Sequence, residues 1–273
     1  MDPLRDRVAV ITGGAGGIGT AIARAFAARG ARLVLADLDE SALARTKADL
    51  EQAGAMVHTL RTDVGERAQV EALADAAVQR FGAVHVVCNN AGIATFGEIA
   101  TSTHNDWVYT MRVNFWGVVH GIQAFVPRLI EQKQGGHIVN TASMAGLVGM
   151  QWLGVYCASK FAVVGLSEGL QRELKPHGIG VSVLCPMIVD TAINQNSIRN
   201  RPKDLRDASS PETVPPEAAS QMVGSTIAPE EVARRVVRAL DRRDFYILTH
   251  PEQREILRRR AARLDRMFEP ETW

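Results

Sequence analysis

The sequence predicts an α/β protein built on a doubly wound parallel sheet of about seven strands, with helices on both faces, in a single domain. Two observations carry this prediction. Short apolar runs rich in β-branched residues alternate with helical patterns, which is typical of a parallel sheet covered on both faces. The first run meets a glycine-rich turn at once, and polar residues follow later runs at the ends where such a sheet binds its ligand.

The individual elements follow from these patterns in order. The predicted strands are 7–12, 32–36, 56–61, 84–88, 136–141, 180–185 and 244–249. The predicted helices are 20–29, 40–53, 67–81, 105–133, 156–176 and 229–242. Hydrophobic residues make up 46% of the 273 residues, which is enough for one large core.

Two segments depart from this alternation. Residues 187–226 combine prolines with few apolar anchors, and we expect a substrate-binding loop or lid within a catalytic domain of residues 1–251, with a passive surface insertion as the alternative. The tail, residues 252–273, is rich in arginine but also carries an apolar stripe at helical spacing. This stripe predicts an amphipathic helix docked on its own body or on a sister subunit, rather than a nucleic-acid site. Its members are Leu257, Ala261, Leu264 and Phe268.

Composition narrows the class of function. Basic and acidic residues nearly cancel, 31 against 30, so the chain has no electrostatic reason to bind nucleic acid or a membrane surface. The three cysteines form no Cys-x-x-Cys pair, which favours buried thiols in a reducing compartment, and the seven histidines lack metal-ligand spacing. The N-terminus lacks the apolar core of a secretory signal, and polar residues interrupt the uncharged run 138–159. We expect a cytoplasmic protein without a metal, acting on a small molecule.

The first glycine turn, TGGAGGIG, indicates a dinucleotide site. Gly13, Gly17 and Gly19 let the backbone turn tightly and bring amides at a helix N-terminus against a pyrophosphate. Asp37 ends the next strand at a distance suited to binding an adenosine ribose. Asp39 competes for that role, and we assign Asp37 to the ribose and Asp39 to the helix cap. A carboxylate there repels a 2′-phosphate, and the glycine turn holds no Lys or Arg, so NAD is favoured over NADP.

A second group of residues suggests acid/base chemistry. Tyr156 and Lys160 share one helical face, and Ser143 lies thirteen residues upstream of the tyrosine. A phenol has a pKa near ~10, so its use at pH 7 requires a nearby cation. At ~5 Å and an effective dielectric of ~20, Lys160 would contribute roughly 3 kcal/mol, or about two pKa units. The Tyr-x-x-x-Lys spacing alone occurs by chance in many helices, so the interpretation depends on the other motifs.

Further polar residues accompany that group. Asp63-Val64 follows the third predicted strand, and Asn89-Asn90-Ala91-Gly92 follows the fourth, both at the carboxyl edge of the sheet. Asn114 lies within a predicted helix among apolar neighbours and therefore needs hydrogen-bond partners. It either binds a neighbouring backbone carbonyl or holds a water that connects Lys160 to solvent, and its position alone does not decide between these.

With these motifs placed, the chain resembles the short-chain dehydrogenase/reductase family over roughly residues 5–250. The glycine turn of the family corresponds to Thr12, Gly13, Gly17 and Gly19, and its N-N-A-G motif to 89–92. Its catalytic group corresponds to Asn114, Ser143, Tyr156 and Lys160. The resemblance implies a Rossmann-type fold, a homotetramer or homodimer, and hydride transfer between nicotinamide C4 and a carbinol carbon with Tyr156 as general acid/base.

The resemblance also implies roles for single residues. Ser143 would orient the substrate oxygen, Lys160 would bind the nicotinamide ribose and lower the Tyr156 pKa, and Asn114 would position a relay water. The implied cofactor-binding set is Gly13, Gly17, Ile18, Gly19, Asp37, Asp63, Val64, Asn90, Ala91, Gly92, Tyr156, Lys160, Val189 and Thr191. One position departs from the family: Met187 follows Pro186 where Pro-Gly is usual, which affects the path of that loop and the pocket size.

The residues around the catalytic group predict the substrate class. A mostly apolar pocket is expected from Phe96, Met144, Leu147, Met150, Trp152, Leu153 and Met187. It favours a hydrophobic secondary alcohol or ketone over a sugar or a phosphorylated compound, although some of these side chains would otherwise only pack beneath the loop. Two alternatives stay open: a reductase of ketoacyl groups, and a nicotinamide-binding regulatory protein without turnover.

Overall fold

The computed structural model describes residues 4–207, 216 and 224–268 and contains a seven-stranded sheet. Its strands are β1 Val8–Thr12, β2 Arg32–Asp37, β3 Val57–Arg61, β4 Val86–Asn89, β5 Gly136–Thr141, β6 Ile179–Cys185 and β7 Tyr246–Leu248. All neighbours pair in parallel, in the order β3-β2-β1-β4-β5-β6-β7. The chain order reverses between β1 and β4, so the crevice at their carboxyl ends is where a doubly wound sheet binds ligands.

Helices cover both faces of this sheet, and the predicted fold class is confirmed. They are α1 Gly17–Ala27, α2 Glu40–Gln52, α3 Arg67–Phe81, α4 His104–Met111, α5 Gly117–Glu131, α6 Gly154–Leu174, α7 Ile193–Arg199, α8 Pro229–Arg242 and α9 Arg254–Asp265. Successive side chains of β1 enter opposite cores: Ile11 packs with Phe26 of α1 and Val236 of α8, whereas Val10 packs with Phe125 of α5. Burial on both faces explains why the strands have continuous apolar runs instead of alternating ones.

The long helix predicted over 105–133 is present as one continuous helical stretch over 104–131, but it contains a π-helical turn that the sequence did not predict. A π-helical turn at Arg112–Trp116 separates α4 from α5, and Asn114 lies in this turn. Single π turns inside helices occur frequently at functional sites. The helix predicted to start at residue 20 instead begins at Gly17, within the glycine turn, and the one predicted to start at Tyr156 begins at Gly154.

The two unusual segments are only partly described. Within the predicted lid, α7 and a 3₁₀ turn at Lys203–Leu205 are described, while 208–215 and 217–223 lie outside the described residues. The apolar stripe of α9 and the turn after it is largely exposed, with Leu264 at 51% and Phe268 at 76%. The single chain thus leaves most of this stripe uncovered, and the expected docking on its own body or on a sister subunit stays a prediction. Among the described residues, no helix is long and apolar enough to span a bilayer.

Candidate active site

A cavity of about 460 Å³ opens at the carboxyl edge of the sheet, where β1 and β4 diverge. It collects every predicted site residue except Gly19 and Asn114. Those that line it are Gly13, Gly17, Ile18, Asp37, Asp63, Val64, Asn90, Ala91, Gly92, Ser143, Tyr156, Lys160, Val189 and Thr191. Residues from six strand ends and α6 thus meet in one place, although the chain separates them widely.

The glycine turn forms a close cradle at the amino end of α1. Gly17 has a φ of +38°, and a Cβ there would lie 2.6 Å from Cγ2 of Thr191. A Cβ at Gly19 would clash with the carbonyl oxygen of Gly13. Only glycine permits this approach of backbone to backbone, and the exposed amides of a helix N-terminus suit a phosphate. The residues present therefore fit a bound dinucleotide.

Asp37 lines the end of the cavity where the adenosine is predicted to bind. Its carboxylate accepts hydrogen bonds from the amides of Ala15, at 3.1 Å, and Asp39, at 3.2 Å. The Asp39 carboxylate accepts from the amide of Ala42 at 2.9 Å and caps α2. This contact supports the predicted role of Asp39 as the helix cap. Arg199 of α7 approaches Asp39 to 3.5 Å, which places a cation near this end that the sequence did not indicate.

The catalytic group predicted from the motifs comes together on the opposite wall. Nζ of Lys160 lies 5.6 Å from the centroid of the Tyr156 ring and donates to the carbonyl of Thr141 at 3.0 Å. The Ser143 hydroxyl donates to the carbonyl of Pro186 at 3.3 Å and accepts from the amide of Ala145 at 3.1 Å, and it lies close enough to the Tyr156 phenol to lower the pKa of that group. Ser143 is therefore fixed between the end of β5 and the loop after β6.

Burial controls the acidity of both titratable groups. It raises the pKa of Tyr156 to about 12, and the hydrogen bond from Ser143 offsets only part of this rise. It lowers the pKa of Lys160 to about 8. The net direction of the Tyr156 pKa in this structure is thus upward, and a lowering of that pKa by Lys160 stays a prediction. Removal of water from the phenolate is the largest cause of this rise, and the Lys160 ammonium donates to the carbonyl of Thr141.

Asn114 lies behind the cavity and is fully buried. Its Oδ1 accepts from the amide of Ile93 at 2.8 Å, and its Nδ2 donates to the Ile93 carbonyl at 3.0 Å and to Oγ of Ser159 at 3.2 Å. The side chain thus binds a backbone carbonyl, as one of its two predicted roles requires, and holds the segment after Gly92 against α6. The relay of a water to Lys160 stays a prediction.

The pocket predicted for the substrate has apolar side chains, but fewer of the predicted ones form it. Phe96, Met150, Leu153 and Met187 line the cavity. The inclusion of Met144, Leu147 and Trp152 is wrong, because Met144 is buried beneath the loop, Leu147 packs in a separate core cluster, and Trp152 occupies a left-handed turn with φ +64°. Met187 lies outside the left-handed region that favours glycine, so its side chain requires no unusual path of the loop.

Sequence reasoning missed the ion pairs that two arginines form around the cavity. Arg112 donates to Asp63 at 2.7 Å and to Glu66 at 2.8 Å, which holds the turn after β3 beside the cavity. Arg201 is 8% exposed and donates to Asp106 at 2.6 Å, which fixes the segment after α7 on α4. The members of these pairs are 46 to 95 residues apart, and no local pattern in the sequence marks them.

Comparison with known proteins decides the family. Residues 7–202 match the family described as short chain dehydrogenase. The chain belongs to this family. The expected resemblance is thereby confirmed, and so is membership in a class of oxidoreductases that use NAD or NADP, act on small substrates and are typically oligomeric.

This short-chain dehydrogenase has relatives that match over nearly its whole length. A C alpha-dehydrogenase of Sphingobium sp. strain SYK-6 is 34% identical, with 93% of this chain and 84% of the relative covered. A 1-deoxy-11-beta-hydroxypentalenate dehydrogenase of Streptomyces exfoliatus is 36% identical, with 93% and 87% covered. A crystal structure of a short-chain dehydrogenase/reductase from Burkholderia phymatum in complex with NAD has a TM-score of 0.91 at 42% identity, with 99% and 98% of the two chains covered.

Proposed function

We propose that this short-chain dehydrogenase transfers a hydride between NAD(H) and a hydrophobic secondary alcohol or ketone, with Tyr156 as general acid/base. One observation carries the proposal: the phenol, the Ser143 hydroxyl and buried Lys160 share a cavity with the glycine cradle and four apolar side chains. The nicotinamide, when bound, supplies or accepts the hydride. Gly13, Gly17, Ile18 and Gly19 would hold the pyrophosphate, and Val189 and Thr191 the nicotinamide end.

The side chains of this protein would handle the proton. In ketone reduction, the Tyr156 phenol, protonated at pH 7 because its pKa is about 12, donates its proton to the substrate oxygen. In alcohol oxidation the phenolate accepts that proton. Ser143 donates a hydrogen bond to the same oxygen and orients it. Lys160, whose pKa of about 8 leaves it charged at pH 7, favours the phenolate through its positive charge.

The substrate class is tested by turnover. With NAD and a panel of secondary alcohols, we expect NADH to form fastest with alicyclic or aromatic alcohols, because Phe96, Met150, Leu153 and Met187 gain apolar contacts with them. The measurement is kcat/KM across the panel from NADH absorbance. Polar sugars outperforming the hydrophobic alcohols would refute the substrate class. Retained NAD binding without turnover on any member would favour the non-catalytic binder instead.

The preference for NAD is proposed to depend on Asp37, and the NAD bound to the Burkholderia phymatum relative supports it. Asp37→Ser removes the carboxylate that would accept from the ribose hydroxyls and repel a 2′-phosphate. We expect the ratio of kcat/KM for NAD to that for NADP to fall about 10- to 100-fold, as for loss of a charge-assisted hydrogen bond. Glu40→Gln, which removes an exposed charge at the start of α2, is the matched control and should leave the ratio unchanged. An unchanged ratio in Asp37→Ser would remove Asp37 from this role.

Larger-scale features of the protein are proposed from the sequence and the family. Residues 1–251 would form the catalytic domain, 187–226 its substrate lid, and 252–273 the helical tail. Because the described stripe of α9 is exposed in the single chain, we propose that a sister subunit of a homodimer or homotetramer covers it. The cytoplasmic location stays a prediction.

A further inference from the structure

The loop after β6 forms the nicotinamide end of the proposed cofactor site, and it is held from two sides. On the catalytic side, the carbonyl of Pro186 accepts from the amide of Met144 at 2.9 Å. On the other side, Ile188 and Asp190 exchange backbone hydrogen bonds with Ile227, at 3.1 and 3.0 Å. These bonds bracket Val189 and precede Thr191, the two residues expected to meet the nicotinamide.

A buried histidine closes the remaining side of this loop. His250 follows β7 and is 3% exposed. Its Nε2 lies 2.9 Å from the carbonyl of Ser225 and 3.2 Å from that of Ile188. Its Nδ1 lies 2.6 Å from Oγ1 of Thr249 and 3.4 Å from the amide of Met187. One ring therefore joins the end of the sheet, the loop after β6, and the segment that leads into α8.

The partners define the hydrogen positions on the ring. Both groups at Nε2 are carbonyls, which only accept, so Nε2 carries the hydrogen. Nδ1 is then the acceptor for the Thr249 hydroxyl and the Met187 amide. The Nε2 hydrogen is shared between the carbonyl of Ser225 at 2.9 Å and that of Ile188 at 3.2 Å. Because the contact with Ile188 is shorter than that of Nδ1 with Met187, at 3.4 Å, Nε2 is the stronger tie of the ring to the loop.

We propose that His250 is a positioning residue for the nicotinamide end of the cofactor. Its Nε2–H holds the carbonyl of Ile188 and so sets where Val189 and Thr191 stand relative to Ser143 and Tyr156. This inference rests on the proposed function, since it requires NAD to bind in the cavity. It predicts that loss of the Nε2 contact weakens binding of the nicotinamide portion and leaves the adenosine portion unaffected.

Two substitutions separate the two ring nitrogens. His250→Gln places an amide donor near the position of Nε2 and keeps a tie to Ile188 and Ser225. His250→Asn places its amide near Nδ1 and loses that tie. His85→Gln is the matched control, because His85 is also a buried histidine, 8% exposed, but bonds Val8 and Gln134 at the amino edge of the sheet.

The experiment measures dissociation constants of NAD and of ADP-ribose, which lacks the nicotinamide, by titration calorimetry on the full-length chain. For His250→Asn we expect the NAD constant to rise about tenfold and the ADP-ribose constant to stay nearly unchanged. His250→Gln should lie close to the wild type for both ligands. His85→Gln should change neither constant, even if it lowers the melting temperature.

Each outcome decides the question. Equal weakening of NAD and ADP-ribose in His250→Asn, or no weakening of either, overturns the proposal, and so does a wild type that binds the two ligands equally. A further variant, His250→Phe, removes both ring nitrogens and keeps a buried ring. If neither His250→Asn nor His250→Phe yields folded protein that binds ADP-ribose, His250 is a structural residue and the proposal fails. A wild type that binds neither ligand refutes the proposed function itself, which distinguishes that failure from a failure of His250 alone.

Discussion

Tyr156→Phe is expected to lower kcat about 10²- to 10⁴-fold, because it removes the proton that the phenol exchanges with the substrate oxygen. The ring remains packed against the cluster of Ala145, Leu153 and Cys157, so the fold and the dissociation constant of NAD should change little. Steady-state turnover and NAD titration on the same preparation separate the two effects.

Tyr109 supplies a matched control for this experiment. Its phenol also lines the cavity, burial raises its pKa to about 12, and its hydroxyl donates to the carbonyl of Ser197 at 3.0 Å. Tyr109→Phe removes an equivalent hydroxyl from the same cavity and should retain most of the turnover. If Tyr109→Phe loses as much turnover as Tyr156→Phe, or if Tyr156→Phe keeps normal turnover, the acid/base role belongs elsewhere.

Lys160→Met is expected to abolish most turnover and, at the same time, to stabilise the fold at pH 7. Burial disfavours the ammonium and lowers its pKa from the usual 10.5 to about 8. This gap corresponds to a cost of about 3 kcal/mol that the folded protein carries while the lysine is charged. Methionine removes the cost but also removes the hydrogen bond to Thr141, worth about 1 kcal/mol. The net expectation at pH 7 is a gain of about 2 kcal/mol in the free energy of unfolding.

The pH dependence identifies the cause of that gain. Between about pH 8 and 10.5, Lys160 is neutral in the folded state and still protonated in the unfolded state. The unfolded state therefore binds more protons, and the wild type becomes more stable as the pH rises through this window. Urea unfolding at pH 7, 9 and 10.5 should show the advantage of Lys160→Met shrink and then reverse, because at the highest pH only the lost hydrogen bond to Thr141 remains, worth about 1 kcal/mol. Lys47→Met, at a surface lysine paired with Glu51, should show no such trend. An advantage independent of pH would contradict the account.

The sequence predicts much of the fold because burial on both faces makes each strand a continuous apolar run. The strand bounds differ from the predicted ones by at most two residues, as for Val86–Asn89. The π turn at Arg112–Trp116 was not predictable in the same way, since the helical pattern runs through it. Its residue Asn114 bonds to Ile93, 21 residues away in the chain, and such a tertiary contact leaves no mark on local periodicity.

The candidate site likewise combines features that the sequence predicts with features that depend on tertiary structure. The glycine turn, Asp37, Ser143, Tyr156 and Lys160 follow from motifs because their spacing is local or their chemistry is distinctive. The direction of the Tyr156 pKa did not follow, because it depends on how much water the folded chain removes from the phenol. The Tyr-x-x-x-Lys spacing gives the distance from the phenol to the lysine charge, but it does not give the degree of burial of the phenol. Burial has the larger effect on the Tyr156 pKa.

The ordinary backbone conformation at Met187 has a consequence for how this enzyme could change. The side chain lines the cavity, yet the loop that carries it is held through backbone groups, the amide of Met187 among them. The size of the side chain at position 187 can therefore change without a change in the backbone path of the loop. Natural variation or laboratory selection can widen or narrow the cavity with one substitution at position 187 and without backbone strain. Position 187 is therefore a suitable starting point for changing which substrates the cavity accepts.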